Sequence, residues 1–195
     1  MISAILLAAG QSQRMGKLKQ LLPFRDKTFV ASAITSLLRA NIDELVLVLG
    51  YRADDIRESL SKEPYINDIK ITINDNFLLG MTSSIQAGLK IVNPNTKAFL
   101  IALVDQPHIP TEVINQLIEC YYKNQALIVK PSYQGKSGHP IIIDAHCQEE
   151  ILELPKEAGL NQVTRKYSLE TLLVSVSSSA ILEDFDTPED YLRLS

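Results

Sequence analysis

The sequence predicts an α/β fold of three layers, with a mostly parallel central sheet between two layers of helices. Short apolar runs alternate with longer segments in which apolar residues recur every three or four positions. The short runs are typical of strands buried on both faces, and the longer segments are typical of covering helices. A helix that joins two strands carries the chain back to the end of the sheet at which the first strand began. The alternation therefore predicts parallel pairing.

The predicted strands are short and rich in valine, isoleucine and leucine. They lie at residues 2–7, 44–49, 69–73, 98–104, 127–130, 140–143 and 171–176. The predicted helices carry apolar stripes, and several begin at a capping residue or a proline. They lie at residues 28–40, 53–60, 110–121, 145–154 and 160–166, in a segment capped by Ser83 or Ser84 that runs through Val92, and in a last segment that opens at Thr187.

Composition limits the kinds of protein that the chain can be. With 195 residues, of which 46% are hydrophobic and 22% charged, it suits one globular domain over residues 1–195. A net charge of -4 argues against a general nucleic-acid binder, which would need a basic face. No apolar stretch approaches a membrane span, and no basic segment of a secretory signal precedes the first strand.

The cysteines indicate the compartment. Cys120 and Cys147 have neither the spacing nor the neighbouring histidines of a metal site. We interpret them as structural thiols of a reduced chain, and we expect a cytoplasmic protein.

The loop after the first strand has the composition of an anion site. Small residues and glycines follow an apolar run, and the segment from Ala8 to Leu22 contains three cations (Arg14, Lys17 and Lys19) and no carboxylate. Converging backbone N–H groups and nearby cations bind phosphate. On spacing alone, a plain connection between a strand and a helix is an equally good interpretation, since the loop has neither a G-x-G-x-x-G pattern nor a Walker pattern.

Three acidic residues are candidates for a metal site. Asp105 follows the most apolar strand, where open α/β sheets bind ligands, and Asp184 and Asp186 stand near the end of the chain. Carboxylates that meet from distant positions can hold Mg²⁺ together with water and phosphate oxygens. The alternative is that Asp105 caps a turn while Asp184 and Asp186 are solvated.

Five segments together resemble one enzyme family. Residues 7–19 match the signature L-A-A-G-x-S-x-R-M-G-x-x-K at every specified position, and four further segments follow in the order of that family: 80–88 (GMTSSIQAG), 105–107 (DQP), 138–140 (GHP) and 184–190 (DFDTPED). Over residues 4–192 the chain resembles the nucleotidyltransferases of the molybdenum cofactor cytidylyltransferase type. That resemblance implies a Rossmann-like nucleotidyltransferase fold of the glycosyltransferase-A kind.

The resemblance also implies roles for individual residues. The catalytic residues would be Arg14, Lys19 and Asp105. The nucleotide would be bound by those three residues together with Leu7, Ala8, Ala9, Gly10, Gly80, Met81, Ser83 and Ser84. Mg²⁺ would be held by Asp105 and Asp186, with Asp184 as a second candidate beside Asp186. Gly138 and His139 would face the acceptor, although an imidazole that caps its own turn is the competing interpretation of His139.

The implied reaction is the transfer of CMP from CTP to the phosphate of molybdopterin or molybdenum cofactor, with release of pyrophosphate. Ala9 stands where related guanylyltransferases have glycine, which favours CTP. A molybdenum hydroxylase apoenzyme would be a further partner. The alternatives are cytidylyl or guanylyl transfer to another phosphorylated acceptor, such as a sugar phosphate or an alcohol phosphate, and a non-catalytic accessory protein that carries the cofactor.

Overall fold

The computed structural model describes residues 1–155 and 157–194. It shows a central sheet covered by helices on both faces. The strands are β1 (Ile2–Ala8), β2 (Pro23–Phe24), β3 (Lys27–Thr28), β4 (Glu44–Leu49), β5 (Lys70–Ile73), β6 (Ala98–Leu103), β7 (Ile128–Tyr133), β8 (Lys136–Ser137), β9 (Ile141–Asp144) and β10 (Thr171–Ser175). The helices are α1 (Phe29–Leu38), α2 (Ala53–Leu60), α3 (Met81–Leu89), α4 (Thr111–Asn124), α5 (Gln148–Glu153), α6 (Asn161–Lys166) and α7 (Pro188–Leu192). The predicted fold class is confirmed.

The order of the strands determines where a ligand can bind. The central sheet has the order β10-β7-β9-β6-β1-β4-β5, with β8 attached to β7, while β2 and β3 form a separate hairpin. Pairing is parallel except at β9, which runs antiparallel to β6 and β7, and at β8. After β5 the chain returns to the other side of β1, so a crevice opens where β1 and β6 end.

Two apolar layers enclose the sheet. All seven residues of β1 are buried, and its side chains alternate between the two faces. Ile2, Ala4 and Leu6 join the layer formed with α1, α2 and α4, whereas Ile5 and Leu7 join the layer formed with α3, α5 and α6. A strand buried on both faces reads as a continuous apolar run, which is why the sequence indicates it so clearly.

Several element boundaries differ from those predicted. The helix expected to be capped by Ser83 or Ser84 begins at Met81, because Gly80 turns the chain with a φ of 99°, a region that glycine enters without steric cost. Both serine hydroxyls instead accept hydrogen bonds from the Asn74 amide. The hairpin of β2 and β3 and the strand β8 were not predicted, because strands of two residues are too short to show a hydrophobic period.

Two of the predicted helix starts are confirmed in detail. Thr28 accepts the backbone N–H of Ala31 at the start of α1. Thr187 and Asp190 form a reciprocal capping box at the start of α7, with Pro188 in the first turn. In the part of the chain that the structure describes, no helix is both long enough and apolar enough to cross a bilayer.

Both cysteines are free thiols, as expected. Burial raises the pKa of the Cys147 thiol to about 11, so this thiol remains protonated at neutral pH.

Candidate active site

A buried glutamine holds the loop that follows β1. The side-chain amide of Gln20 donates hydrogen bonds to the carbonyl oxygens of Ala8 and Gly10, each at 2.9 Å. Ser12 adds a second tie, since its hydroxyl oxygen accepts the backbone N–H of Lys19 at 3.1 Å. The loop therefore turns back on itself and brings Lys19 close to the end of β1.

The same loop presents free hydrogen-bond donors. The backbone N–H groups of Gly10, Gln11 and Ser12 donate no hydrogen bond to another residue in the described parts of the chain. Ser12 and Gly16 have positive φ angles of 55° and 68° and bracket a single 3₁₀ turn at Gln13–Met15. Successive free N–H groups beside lysine and arginine are the usual surroundings of a bound phosphate.

Lys19 joins two carboxylates that come from distant parts of the sequence. Its Nζ atom lies 2.9 Å from Oδ2 of Asp105 and 2.6 Å from Oδ1 of Asp186. Arg14 Nη2 contacts the other oxygen of Asp186 at 2.6 Å. The Lys19 side chain is only 10% exposed, whereas that of Arg14 is 71% exposed. Lys19 thus lies within the site, and Arg14 covers it from the solvent side.

These contacts change the acidity of the groups involved. Burial by itself would lower the pKa of Lys19, but the neighbouring Asp105 and Asp186 outweigh it and raise that pKa above its ordinary value. Burial would raise the pKa of Asp186, and the hydrogen bonds and charges of Lys19 and Arg14 instead hold it below its ordinary value. Both partners therefore remain charged at neutral pH.

The second acid of the 184–190 segment is placed differently. Asp184 accepts a hydrogen bond from the side-chain amide of Gln106 at 2.8 Å and makes no ion pair with another described residue. Burial and the nearby Asp105 carboxylate raise its pKa above the ordinary value. The structure therefore brings Arg14, Lys19, Asp105 and Asp186 together and directs Asp184 toward Gln106.

The pair of carboxylates suits a divalent cation. Oδ1 of Asp105 is buried and has no hydrogen-bond partner among the described residues, so one oxygen of that group is available as a ligand. Within residues 1–155 and 157–194, no cluster of three or more histidine, cysteine, aspartate or glutamate side chains could hold a metal by itself. Two carboxylates completed by water and phosphate oxygens are a common environment for Mg²⁺ or Mn²⁺.

A cleft of about 250 Å³ opens beside this cluster and is called here the nucleotide cleft. Most of the residues predicted to bind nucleotide line it: Leu7, Ala9, Gly10, Lys19, Gly80, Met81, Ser84 and Asp105. Gln20 and Phe77 line it as well, and neither was predicted. Ala8 is buried below the loop and contributes its carbonyl to Gln20. The Ser83 hydroxyl donates to the Gly80 carbonyl at 2.8 Å, inside the turn that precedes α3.

A second cleft of about 420 Å³, called here the acceptor cleft, contains Gly138 and His139. Gly80 and Met81 line both clefts and form the wall between them. Gly138 packs so closely on the chain that an added Cβ would lie 1.8 Å from the Ile181 carbonyl oxygen, and the His139 N–H donates to the same carbonyl at 3.1 Å. These contacts hold the loop against the segment that leads to Asp186.

The sequence matches the family model of the MobA-like NTP transferase domain over residues 4–172. The chain belongs to this family of nucleotidyltransferases. The family uses a nucleoside triphosphate and a phosphorylated acceptor, and the resemblance inferred from the five segments is confirmed.

Relatives with this fold carry different names. The chain is 30% identical over 202 residues to the nicotine blue oxidoreductase of Paenarthrobacter nicotinovorans, covering 99% of this chain and 96% of that protein. It is 28% identical to the molybdenum cofactor cytidylyltransferase of Escherichia coli K12, covering 98% and 94%. Its fold matches a crystal structure of Rv0371c from Mycobacterium tuberculosis H37Rv with a TM-score of 0.87 and 26% identity, covering 99% of this chain and 96% of that chain. A manganese complex of Rv0371c has also been solved and matches with a TM-score of 0.82, at 25% identity and with 99% and 97% coverage.

Proposed function

We propose that this chain is a Mg²⁺-dependent nucleotidyltransferase that transfers CMP from CTP to the phosphate of molybdopterin or molybdenum cofactor, with residues 1–195 acting as one domain. The observation that carries the proposal is the position of Lys19, which is buried between Asp105 and Asp186 at the base of a loop with free backbone N–H groups. A cation, two acids and oriented N–H groups are what in-line transfer at a phosphorus atom requires.

In this proposal the loop holds the triphosphate and the cluster holds the reacting phosphorus atom. The free N–H groups of Gly10 to Ser12 donate to phosphate oxygens, and Arg14 offers a planar, exposed guanidinium to the same group. Lys19 neutralises charge that accumulates on the α-phosphate. Ser84, Gly80 and Met81 border the ribose and base, since they form the wall of the nucleotide cleft that faces the loop.

The chemical step is a displacement at the α-phosphorus atom. An oxygen of the acceptor phosphate forms a new P–O bond, the bond between the α-phosphorus and the bridging oxygen breaks, and pyrophosphate leaves with the electron pair. An acceptor phosphate is already anionic at neutral pH, so no side chain has to act as a general base. The protein contributes by aligning two anions that otherwise repel each other.

Asp105 and Asp186 are the residues that would hold Mg²⁺. When bound there, the ion would supply positive charge to the phosphate oxygens of the nucleotide. Oδ1 of Asp105, which has no hydrogen-bond partner within residues 1–155 and 157–194, supports this assignment. Asp184 is a weaker candidate, since its carboxylate is already hydrogen-bonded to Gln106.

Two observations support CTP and a pterin acceptor. The chain is similar over almost its whole length to a protein named molybdenum cofactor cytidylyltransferase. Ala9 lines the nucleotide cleft, where its methyl group takes space that a glycine would leave to a larger purine base. A molybdenum hydroxylase apoenzyme, as the recipient of the finished cofactor, completes the proposal.

Pyrophosphate release tests the proposal. The purified protein is incubated with Mg²⁺ and either CTP or GTP, together with molybdopterin, molybdenum cofactor, a sugar phosphate or an alcohol phosphate. The proposal expects release that depends on CTP and on a pterin acceptor. Equal rates with GTP would refute the assignment of CTP, and preference for a sugar or alcohol phosphate would refute the pterin. Nucleotide binding without release would indicate an accessory protein.

A second candidate is an oxidoreductase, favoured by the 30% identity to a protein named nicotine blue oxidoreductase. An assay of nicotine blue reduction distinguishes the two candidates. NADH or NADPH is supplied as the reductant, and the reaction is measured as the loss of colour of nicotine blue. Loss of colour at a rate comparable to that of the named relative, with no release of pyrophosphate, would replace transfer by reduction.

A further inference from the structure

The acceptor cleft contains a lysine that neither the sequence motifs nor the proposed chemistry accounts for. Lys130 lies in the middle of β7, and its side chain lines the acceptor cleft together with His139, Ile141 and Thr164. Its neighbour Val129 belongs to the opposite apolar layer, because successive residues of a strand face opposite sides. The strand therefore directs Lys130 toward the side of the sheet on which the acceptor cleft opens.

Lys130 has no counter-charge among the residues that the structure describes. Among residues 1–155 and 157–194 its side chain makes no ion pair and no hydrogen bond, although it is partly buried. Burial lowers its pKa, and no carboxylate in the described ranges opposes that effect. A desolvated ammonium group without a partner is unfavourable. An anion placed against it would remove that cost.

The other titratable groups that line the acceptor cleft are less suited than Lys130 to bind an anion. Glu157 is the one carboxylate that lines the described part of the cleft, and it is exposed at the surface. The charges of Asp105 and Lys130 act in opposite directions on the pKa of His139, since the carboxylate raises it and the ammonium lowers it. Burial lowers that pKa below its ordinary value, so the imidazole is neutral at physiological pH. Lys130 is therefore the one lysine or arginine among the described residues that line the cleft.

We infer that Lys130 binds the phosphate of the acceptor and positions it for attack on the nucleotide. This inference rests on the proposed function and assigns the acceptor a phosphate monoester that enters beside His139. In the proposed function Lys19 and Arg14 serve the nucleotide: Lys19 lines the nucleotide cleft, and Arg14 pairs with Asp186 beside it. A doubly charged acceptor phosphate needs its own cation before it can approach the triphosphate, and Lys130 supplies one.

Residue-specific chemical labelling tests the site without any turnover. The protein is treated briefly with acetic anhydride in inorganic phosphate or in sodium chloride of equal ionic strength, and acetylation is measured by mass spectrometry. Lys130 should be acetylated at least about threefold less in phosphate, while Lys123, exposed at the end of α4, reacts equally in both. Equal acetylation of Lys130 in the two solutions would overturn the inference.

Kinetics test its role in transfer. Lys130→Met keeps the size of the side chain and removes its charge, Lys130→Arg keeps the charge, and Lys123→Met is the matched control. With molybdopterin and CTP, Lys130→Met should raise the KM for the acceptor about 10- to 100-fold, as expected for loss of a charge-assisted hydrogen bond. The KM for CTP should stay within about twofold, and Lys130→Arg should retain most of the acceptor affinity.

The outcomes separate the inference from the proposed function. An unchanged acceptor KM in a folded Lys130→Met variant would overturn the inference and leave transfer intact. An equal rise in the KM values for both substrates would also overturn it, because Lys130 would then act on the whole site. If the wild-type protein releases no pyrophosphate with any acceptor, the proposed function fails, and protection of Lys130 by phosphate still decides whether the cleft binds that anion.

Discussion

The ion pairs of Lys19 give the sharpest quantitative prediction. Lys19→Met keeps an unbranched side chain and removes two contacts of 2.9 and 2.6 Å to carboxylates that are 21% and 30% exposed. Hydrogen bonds to charged groups each contribute about 1.5–3 kcal/mol, and partial exposure of the acids reduces this, so we expect the free energy of unfolding to fall by about 2–3 kcal/mol. For a protein of this size the Tm should then fall by about 4–12 °C.

The effect on catalysis should be larger than the effect on folding. Removing one preorganised charge from a transferring phosphoryl group costs about 10²–10³ in rate, so pyrophosphate release by folded Lys19→Met should fall by that factor at saturating CTP. Added Mn²⁺ should raise the Tm of the variant more than the Tm of the wild type, because Asp105 and Asp186 have no ammonium group between them in the variant.

The assay combines calorimetry, circular dichroism and pyrophosphate release, with Lys123→Met as the control. Lys123 is exposed and lines neither cleft, so its removal should leave both the Tm and turnover close to the wild-type values. Turnover by Lys19→Met within about threefold of the wild type, in a protein whose Tm has fallen as expected, would refute the reasoning. Lys19 would then have a structural role only.

Three further predictions concern other parts of the structure. Asp105→Asn should lower pyrophosphate release by about 10² or more and abolish the rise in Tm that Mg²⁺ and CTP produce together; an unchanged rise would place the ion elsewhere. Gln20→Leu leaves two loop carbonyls without their donor, so we expect a loss of about 2 kcal/mol in urea unfolding and a KM for CTP raised about tenfold, and a normal KM would contradict the role of the loop. Glu44 has a pKa below its ordinary value of 4.5, because its hydrogen bonds, above all to Lys70, outweigh burial. Its stabilising effect is therefore present above that pH and is lost as the pH falls through the lowered pKa. Glu44→Gln should cost about 1–3 kcal/mol at pH 7 and much less at a pH below the lowered pKa of Glu44, with unchanged turnover at pH 7, and an equal loss at both pH values would refute this account.

The larger elements could be predicted because each has a pattern several residues long. The strand at residues 44–49 and the helix at 53–60 have the predicted bounds. The antiparallel insertion of β9 between β6 and β7 could not be predicted, because a strand's own sequence does not state its neighbours.

The site was predictable in its members and not in its contacts. The motifs named Lys19, Asp105 and Asp186, but their ion pairs span 86 and 167 positions of the chain and exist only once β1 and β6 lie side by side. Gln20 escaped prediction because an amide within an apolar segment gives no sign of which carbonyls it will meet. Lys130 escaped it because a cation in a short strand usually marks an edge or a solvent-facing position.

The two clefts on either side of Gly80 and Met81 are lined mostly by different segments of the sequence. The nucleotide cleft is lined from residues 7–20, 77–84 and 103–105, whereas the acceptor cleft draws most of its other residues from 130–141 and 157–164. Under the proposed function, substitutions in those later segments would change which molecule receives the nucleotide without altering how the triphosphate is held. Such a division lets one inherited scaffold acquire new acceptors through a few local changes, and it offers engineers a contiguous region in which to alter acceptor choice.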